Sequence, residues 1–137
     1  MKRNLLVICL LFALTACDKD DDNSNTGATL ESLNAELTVS NGLIITTFTE
    51  DGSSEDELVN TYLFLFDSDG TVVASLGDET IEGTYLTFRD DGRLELLMNF
   101  PENSELHELN EDWYFISKTG SSINFDDDGD VLVFQQQ

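Results

Sequence analysis

The feature that most constrains the fold is a series of short apolar segments separated by turns rich in Asp and Gly. An Asp-Gly pair between two such segments predicts a β-hairpin, because glycine accepts the positive φ that a tight turn requires. The predicted strands cover residues 43–49, 61–66, 71–76, 83–88, 93–100, 113–117, 121–125 and 131–134. Short connections make sequential strands antiparallel, so the pattern predicts a mainly β fold. We expect an up-and-down β meander closed into a small barrel or sandwich.

The alternation of side chains along these segments indicates which faces enclose the core. In segment 61–66 the three aromatic residues share one face, and Leu63 and Leu65 share the other. Because both faces are apolar, we expect this strand to be covered on both sides. Further along the chain, Leu86 and Phe88 are expected to face inward. The nine phenylalanines of the chain suit a filled core better than a cavity.

Three segments between and before the strands have other patterns. Leucines recur at helical spacing in residues 29–37, which predicts one short N-terminal helix. Residues 50–57 are expected to form an acidic loop. Residues 101–110 are expected to hold a single helical turn, which Asn103 or Ser104 would cap.

The N-terminus has the organisation of a secretory signal. Lys2 and Arg3 precede an apolar run that is too short to span a membrane and ends at Leu14-Thr15-Ala16-Cys17. This sequence resembles the lipobox, the cleavage and acylation signal of bacterial lipoproteins. The resemblance implies that residues 1–16 are a lipoprotein signal peptide and that Cys17 is the lipidated first residue of the mature chain. The alternative is an ordinary signal peptide in which the cysteine is incidental.

An acidic run with one lysine follows the cysteine and comprises Asp18, Lys19, Asp20, Asp21 and Asp22. It resembles the export signal that sends lipoproteins of one group of Gram-negative bacteria to the outer face of the outer membrane. Enterobacterial-type sorting would instead retain such a lipoprotein at the inner membrane, and a solvated linker is a third interpretation.

The signals divide the chain into three parts. Residues 17–28 are expected to be an acylated cysteine with a flexible acidic linker. Residues 29–137 are expected to be one β-rich domain. The predicted location is the cell envelope, as an outer-membrane lipoprotein exposed at the cell surface.

The charge of the chain excludes some partners and favours others. The chain has 28 Asp and Glu against 6 Lys and Arg, a formal net charge of −22, which becomes −24 when Lys2 and Arg3 leave with the signal. Nucleic acid is excluded as a natural ligand because phosphate binding requires a basic surface. An acidic surface of this kind attracts cations and basic protein partners. Both cysteines lie at or before Cys17, so the predicted domain has no thiol.

One acidic turn is a candidate metal site. Asp126, Asp128 and Asp130 alternate along the chain and could direct three carboxylates at one calcium ion, which prefers several oxygen ligands. The helical flanks and the twelfth-position glutamate of an EF-hand loop are absent. The alternative is that Asp and Gly serve the hairpin turn alone. Calcium is therefore the one cofactor that the sequence suggests.

No motif in the sequence indicates catalysis. His107 is the single histidine, lies in a polar segment, and has no nucleophile-elbow pattern to accompany it. The chain contains no Gly-rich phosphate loop and no zinc-protease motif. We therefore expect a protein that is not an enzyme.

The order of elements resembles that of the lipocalin-like bacterial lipoproteins, whose members are mostly uncharacterised. The matching segments are residues 62–72, 81–85 and 109–113. The resemblance implies a β-barrel and an envelope location more than a function. We expect a membrane-anchored binding or interaction module, with a basic protein partner or a small ligand. The alternatives are a lipocalin-like carrier of a small apolar or sugar-like ligand, and a calcium-dependent surface module.

Overall fold

The alternating apolar segments form a closed antiparallel β-barrel in a computed structural model, which describes residues 27–59 and 61–137. The strands are β1 Leu43–Glu50, β2 Ser53–Ser54, β3 Leu63–Phe66, β4 Thr71–Leu76, β5 Glu79–Asp90, β6 Arg93–Asn99, β7 Asp112–Thr119, β8 Ser122–Asp127 and β9 Asp130–Gln136. Strands β3 to β9 pair in sequence order, and β1 pairs with both β3 and β9, which closes the barrel. Strand β2 is a two-residue extension paired with β1. The predicted meander is confirmed, and it closes as a barrel.

Asp-Gly pairs form three of the hairpin turns, as the sequence predicts. Asp91 and Gly92 connect β5 to β6 with φ values of 45° and 80°. Asp51-Gly52 and Asp128-Gly129 connect β1 to β2 and β8 to β9 in the same way. Positive φ at both central positions is the requirement of the type I′ turn, whose twist matches that of the flanking strands.

One end of the barrel is covered by helix α1, Leu30–Leu37, and we call it the α1 end. The helix begins at Thr29 in a capping box, in which the Thr29 hydroxyl accepts a hydrogen bond from the backbone N–H of Ser32 (3.1 Å). Leu33 and Leu37 are buried against the core. The predicted N-terminal helix is confirmed.

The opposite end is covered by two short helices, α2 Asp56–Val59 and a 3-10 helix Glu105–Leu109. The 3-10 helix confirms the predicted helical turn. The acidic loop predicted for residues 50–57 is wrong in its second half, where α2 begins. The Asp56 carboxylate accepts a hydrogen bond from the backbone N–H of Phe48 (2.5 Å), which holds α2 against β1. No helix in residues 27–59 and 61–137 has the length and apolar character needed to cross a membrane.

Aromatic side chains fill the barrel interior. The ring of Phe134 makes edge-to-face contacts with Phe64 (5.5 Å between centroids), Phe66 (5.6 Å) and Phe125 (6.3 Å). Edge-to-face pairs of this kind are favourable beyond the area that they bury. An eight-stranded barrel has an interior just wide enough for its own side chains. The core therefore agrees with the expectation of a filled barrel.

Two predictions about strand faces are wrong. Leu65 is 40% exposed, so the outer face of β3 lies open to solvent and is not covered on both sides. Leu86 is 57% exposed and faces outward, whereas Gly83 on the same strand is buried. A Cβ atom on Gly83 would lie 2.7 Å from the buried Phe100 ring, which is too close for a side chain. Residue 83 therefore faces the core and has to be glycine. This requirement sets the alternation of β5 and places Leu86 on the outside.

Candidate functional site

The barrel end opposite α1 holds an acidic pocket of about 120 Å³. We call this end the acidic end. The pocket is lined by Phe48, Thr49, Glu50, Asp51, Glu108, Glu111, Trp113, Asp127 and Asp130. Its acids come from the end of β1, the segment around the 3-10 helix and the β8–β9 hairpin. Segments that are distant in the sequence thus place six carboxylates around one small volume.

Asp130 holds two of the contributing turns together. Its carboxylate accepts hydrogen bonds from the backbone N–H groups of Asp51 (3.2 Å) and Gly52 (3.2 Å), which lie in the β1–β2 turn. The Thr49 hydroxyl in turn accepts a hydrogen bond from the backbone N–H of Val131 (2.8 Å). These bonds fix the wall of the pocket, so Asp130 has a structural role there.

The floor of the pocket is aromatic. The Trp113 and Phe48 rings meet edge to face with centroids 6.0 Å apart. The indole Nε1 donates a hydrogen bond to the carbonyl oxygen of Leu109 (3.1 Å), which ties the 3-10 helix to β7. Both rings are buried, so the acids stand on a rigid apolar base.

Hydrogen bonding, burial and like charges raise the pKa values of several pocket acids. A hydrogen bond with Glu108 raises the pKa of Glu50 to about 7, and burial and the neighbouring negative charges add to the effect. Burial raises the pKa of Glu111 and of Asp127, and surrounding carboxylates act in the same direction. A pocket with raised carboxyl pKa values favours the binding of positive charge, because a cation relieves the repulsion between the acids.

Charge is divided unequally between the two barrel ends. Residues 50–57, 76–79, 101–112 and 126–130 form the acidic end and carry sixteen Asp and Glu with no Lys or Arg. The three Lys and Arg side chains in the described part of the chain lie near the α1 end: Arg89, Arg93 and Lys118. Lys118 pairs with Glu36 of α1 at 3.1 Å. The barrel is therefore electrically polar along its axis.

A second concavity, of about 450 Å³, lies on the side of the barrel near α1. We call it the α1 groove. Its walls are α1, the β3–β4 turn and β5, and it is lined by Asn34, Ala35, Thr38, Ser68, Asp69, Gly70, Tyr85, Leu86 and Thr87. The sequence pattern does not predict this groove, because the apolar alternation of the segment predicts that Leu86 faces the core. The residue that indicates the correct alternation is Gly83, because its contact with Phe100 sets which residues of β5 face the core.

The three aspartates predicted to bind calcium do not converge in the structure. Asp130 bonds to the β1–β2 turn, Asp126 accepts a weak hydrogen bond from the backbone N–H of Gly129 (3.4 Å), and Asp128 is an exposed turn residue with φ of 49°. Within residues 27–59 and 61–137, no group of three or more His, Cys, Asp or Glu is arranged to hold a metal ion. Calcium binding stays a prediction without support from this geometry.

The other predicted positions divide between described and undescribed residues. Cys17, Lys19 and Asp20 to Asp22 lie outside the described part of the chain, so lipidation and export stay predictions. His107 is exposed, and its ring Nδ1 lies 2.9 Å from the carbonyl oxygen of Ser104.

Comparison with known proteins supports the fold. The sequence matches no protein-family model and no curated protein. Among solved structures, the barrel is similar to a DUF4847 family protein from Bacteroides vulgatus, at 15% sequence identity and a TM-score of 0.52. The alignment covers 75% of this chain and 96% of that chain. At this identity the likeness shows a shared β-barrel fold, which agrees with a lipocalin-like resemblance.

Proposed function

We propose that this protein is an envelope lipoprotein whose β-barrel is a non-enzymatic interaction module, and that its acidic end binds a basic protein partner. The observation that carries the proposal is the division of charge along the barrel. Sixteen carboxylates and no Lys or Arg occupy one end, and the cations lie near the other. Surfaces of one sign steer oppositely charged partners and raise their rate of association.

The raised carboxyl pKa values favour the same partner. A hydrogen bond with Glu108 raises the pKa of Glu50, and burial and the charge of Glu108 add to the effect. A lysine or arginine side chain placed between the two carboxyl groups would replace the proton that they hold and form charge-assisted hydrogen bonds. The pocket, at about 120 Å³, suits the head of one basic side chain better than a large organic ligand.

The filled interior argues against the carrier alternative in its usual form. Lipocalin-like carriers hold apolar ligands inside the barrel. Here Phe134 occupies that space, in ring contact with both Phe64 and Phe125. A partner that binds the outer surface needs no such cavity.

The proposed membrane attachment lies at one end of the barrel. The described chain begins at Gly27, next to α1. A flexible tether running from Cys17 to this point would attach at the α1 end and leave the acidic end as the end farther from the point of attachment. The domain would then present its acids to partners beyond the membrane surface.

Two triple variants test the acidic end at equal net charge. At a pH well above 7, where Glu50 is ionised, Glu50→Gln, Glu108→Gln and Glu111→Gln remove three charges from the acidic end. Glu31→Gln, Asp90→Asn and Asp91→Asn, which form the control variant, remove three from the α1 end. Binding of a hexalysine peptide is measured by calorimetry, and we expect the first variant to weaken binding about tenfold more than the control. Equal losses in the two variants would show that only net charge matters and would refute a defined binding end.

The lipid anchor is tested separately in cells of the producing bacterium. We expect labelled palmitate to be incorporated into the natural chain and lost in Cys17→Ala, with release of the protein from the membrane fraction. Palmitate incorporation in Cys17→Ala equal to that of the natural chain would refute lipidation at this cysteine.

Surface export is tested by adding protease to intact cells. We expect the domain to be degraded in intact cells, and protected when Lys19 and the aspartates 20–22 are replaced by alanine. A natural chain that is cut only after permeabilisation would refute surface display.

A further inference from the structure

The α1 groove contains polar side chains that are held in place by hydrogen bonds and still have unused donors and acceptors. We propose that this groove is a binding site for a neutral saccharide, with Asp69 and Asn34 bonding to its hydroxyls and Leu86 packing on its apolar face. The site lies away from the acidic end, so the two surfaces could be occupied together.

Asp69 provides a fixed acceptor. Its Oδ1 accepts hydrogen bonds from the backbone N–H (2.9 Å) and the hydroxyl (2.7 Å) of Thr71. These bonds hold the pKa of Asp69 below its usual range. Its Oδ2 accepts no hydrogen bond from the described residues and stays available for a ligand hydroxyl.

Asn34 provides a fixed donor on the facing wall. Its Oδ1 accepts a hydrogen bond from the Thr87 hydroxyl (2.8 Å), which joins α1 to β5 and fixes the amide. The Asn34 Nδ2 group donates no hydrogen bond within the described part of the chain. The groove therefore offers one charged acceptor and one amide donor, neither of which must reorganise before binding.

The apolar part of the groove is also held in place. The Tyr85 hydroxyl donates a hydrogen bond to the carbonyl oxygen of Asp67 (2.8 Å), and the Tyr85 ring meets Phe66 edge to face at 4.9 Å. Next to it, Leu86 is 57% exposed, the most exposed of the large apolar side chains of the barrel. A leucine in this position loses contact with water when a ligand covers it.

This combination fits a saccharide better than a charged ligand. A sugar ring has hydroxyls that both donate and accept and a C–H face that packs on apolar side chains. An ammonium group has no acceptor and would leave the Asn34 Nδ2 donor unused. An anion would meet the Asp69 charge, since no Lys or Arg lines the groove. The volume of about 450 Å³ is within the range of small-molecule sites, which is about 300–1,000 Å³.

The test uses the full ¹⁵N-labelled chain in a zwitterionic detergent that contains no sugar. Maltose, cellobiose, lactose and N,N′-diacetylchitobiose are each titrated to about 20 mM, a range suited to weak binding. We expect at least one disaccharide to shift the amide signals of Gly70, Leu86 and the Asn34 side chain saturably, and to leave the acidic end unchanged. If none of the four shifts these signals, or if they respond to trilysine instead, the proposal is wrong.

Two pairs of matched variants assign the binding to this site. We expect Leu86→Ala to weaken binding about fivefold. Leu76→Ala, which truncates an exposed leucine of the opposite end, should have no effect. We expect Asp69→Asn to weaken binding about tenfold, because a charge-assisted hydrogen bond is lost while Asn can still accept from Thr71. Asp78→Asn is its control, and equal losses in either pair would overturn the assignment.

Discussion

The Glu50–Glu108 carboxyl pair should make the protein less stable as the pH rises from 5 to 8. The hydrogen bond with Glu108 raises the pKa of Glu50 from 4.5 to about 7. In this interval the folded chain binds more protons than the unfolded chain, so the free energy of unfolding falls as the pH increases. The contribution is fully present below pH 4.5 and is lost as the pH passes through about 7. Glu50→Gln removes the titrating group and should remove this part of the pH dependence.

The expected size of the effect follows from the shift and from the exposure of the pair. Each pKa unit corresponds to about 1.4 kcal/mol, so the full shift would be worth about 3.4 kcal/mol. Glu50 lines the pocket but is only half-buried, so solvent screens its charge in part. We therefore expect the natural chain to lose about 1 kcal/mol of unfolding free energy between pH 5 and pH 8 that Glu50→Gln does not lose.

Urea denaturation followed by circular dichroism at pH 5, 6, 7 and 8 measures this difference. Glu82→Gln is the matched control, since Glu82 is on β5 and does not line the acidic pocket. A second measurement follows the carboxyl carbon of Glu50 by NMR, with an expected midpoint near pH 7. A midpoint below about pH 5, in the ordinary range of glutamate, would refute the reasoning, as would identical pH profiles for the two variants.

Three further predictions concern the barrel itself, each measured as a loss in the free energy of unfolding by urea. Phe134→Ala removes the ring at the centre of the core and should cost about 3–5 kcal/mol; a cost below about 1 kcal/mol would contradict the packing described. Gly83→Ala brings a Cβ to 2.7 Å from the ring of Phe100 and should cost about 1–3 kcal/mol, and a neutral result would show that the ring can move freely. Asn110→Ala removes two hydrogen bonds between its side-chain amide and the backbone of Phe100 (2.6 and 2.9 Å) and should cost about 1–3 kcal/mol, whereas no loss would mean that water replaces both bonds.

Most of the fold follows from local patterns in the sequence. The type I′ turns occur where Asp-Gly pairs separate apolar segments, because few other pairs accept positive φ at both positions. Helix α1 follows from the spacing of its leucines and the cap at Thr29. Local signals of this kind act within a few residues and can therefore be read along the chain.

The missed features depend on contacts between distant segments. Helix α2 is held by the hydrogen bond from the Phe48 backbone N–H to the Asp56 carboxylate, and no local sequence pattern predicts this bond. Leu86 appears in an apolar alternation that fits either face, and only the contact between Gly83 and Phe100 decides between them. The acidic pocket combines turns more than 50 residues apart, as the bonds of Asp130 to Asp51 and Gly52 show. In a chain with 28 acids, sequence alone cannot select the six that share a pocket.

The pairing of β1 with β9 has a consequence for the time course of folding. It places Leu43 beside Gln136, so the barrel closes through a contact that spans about 90 residues. Until β9 pairs, β1 and β8 are open edges and the barrel is not closed. Contacts this distant in sequence slow folding relative to proteins dominated by local contacts. Pairing of β9 with both β1 and β8 therefore completes the barrel, and truncation after Asp130 should leave a chain with no native barrel.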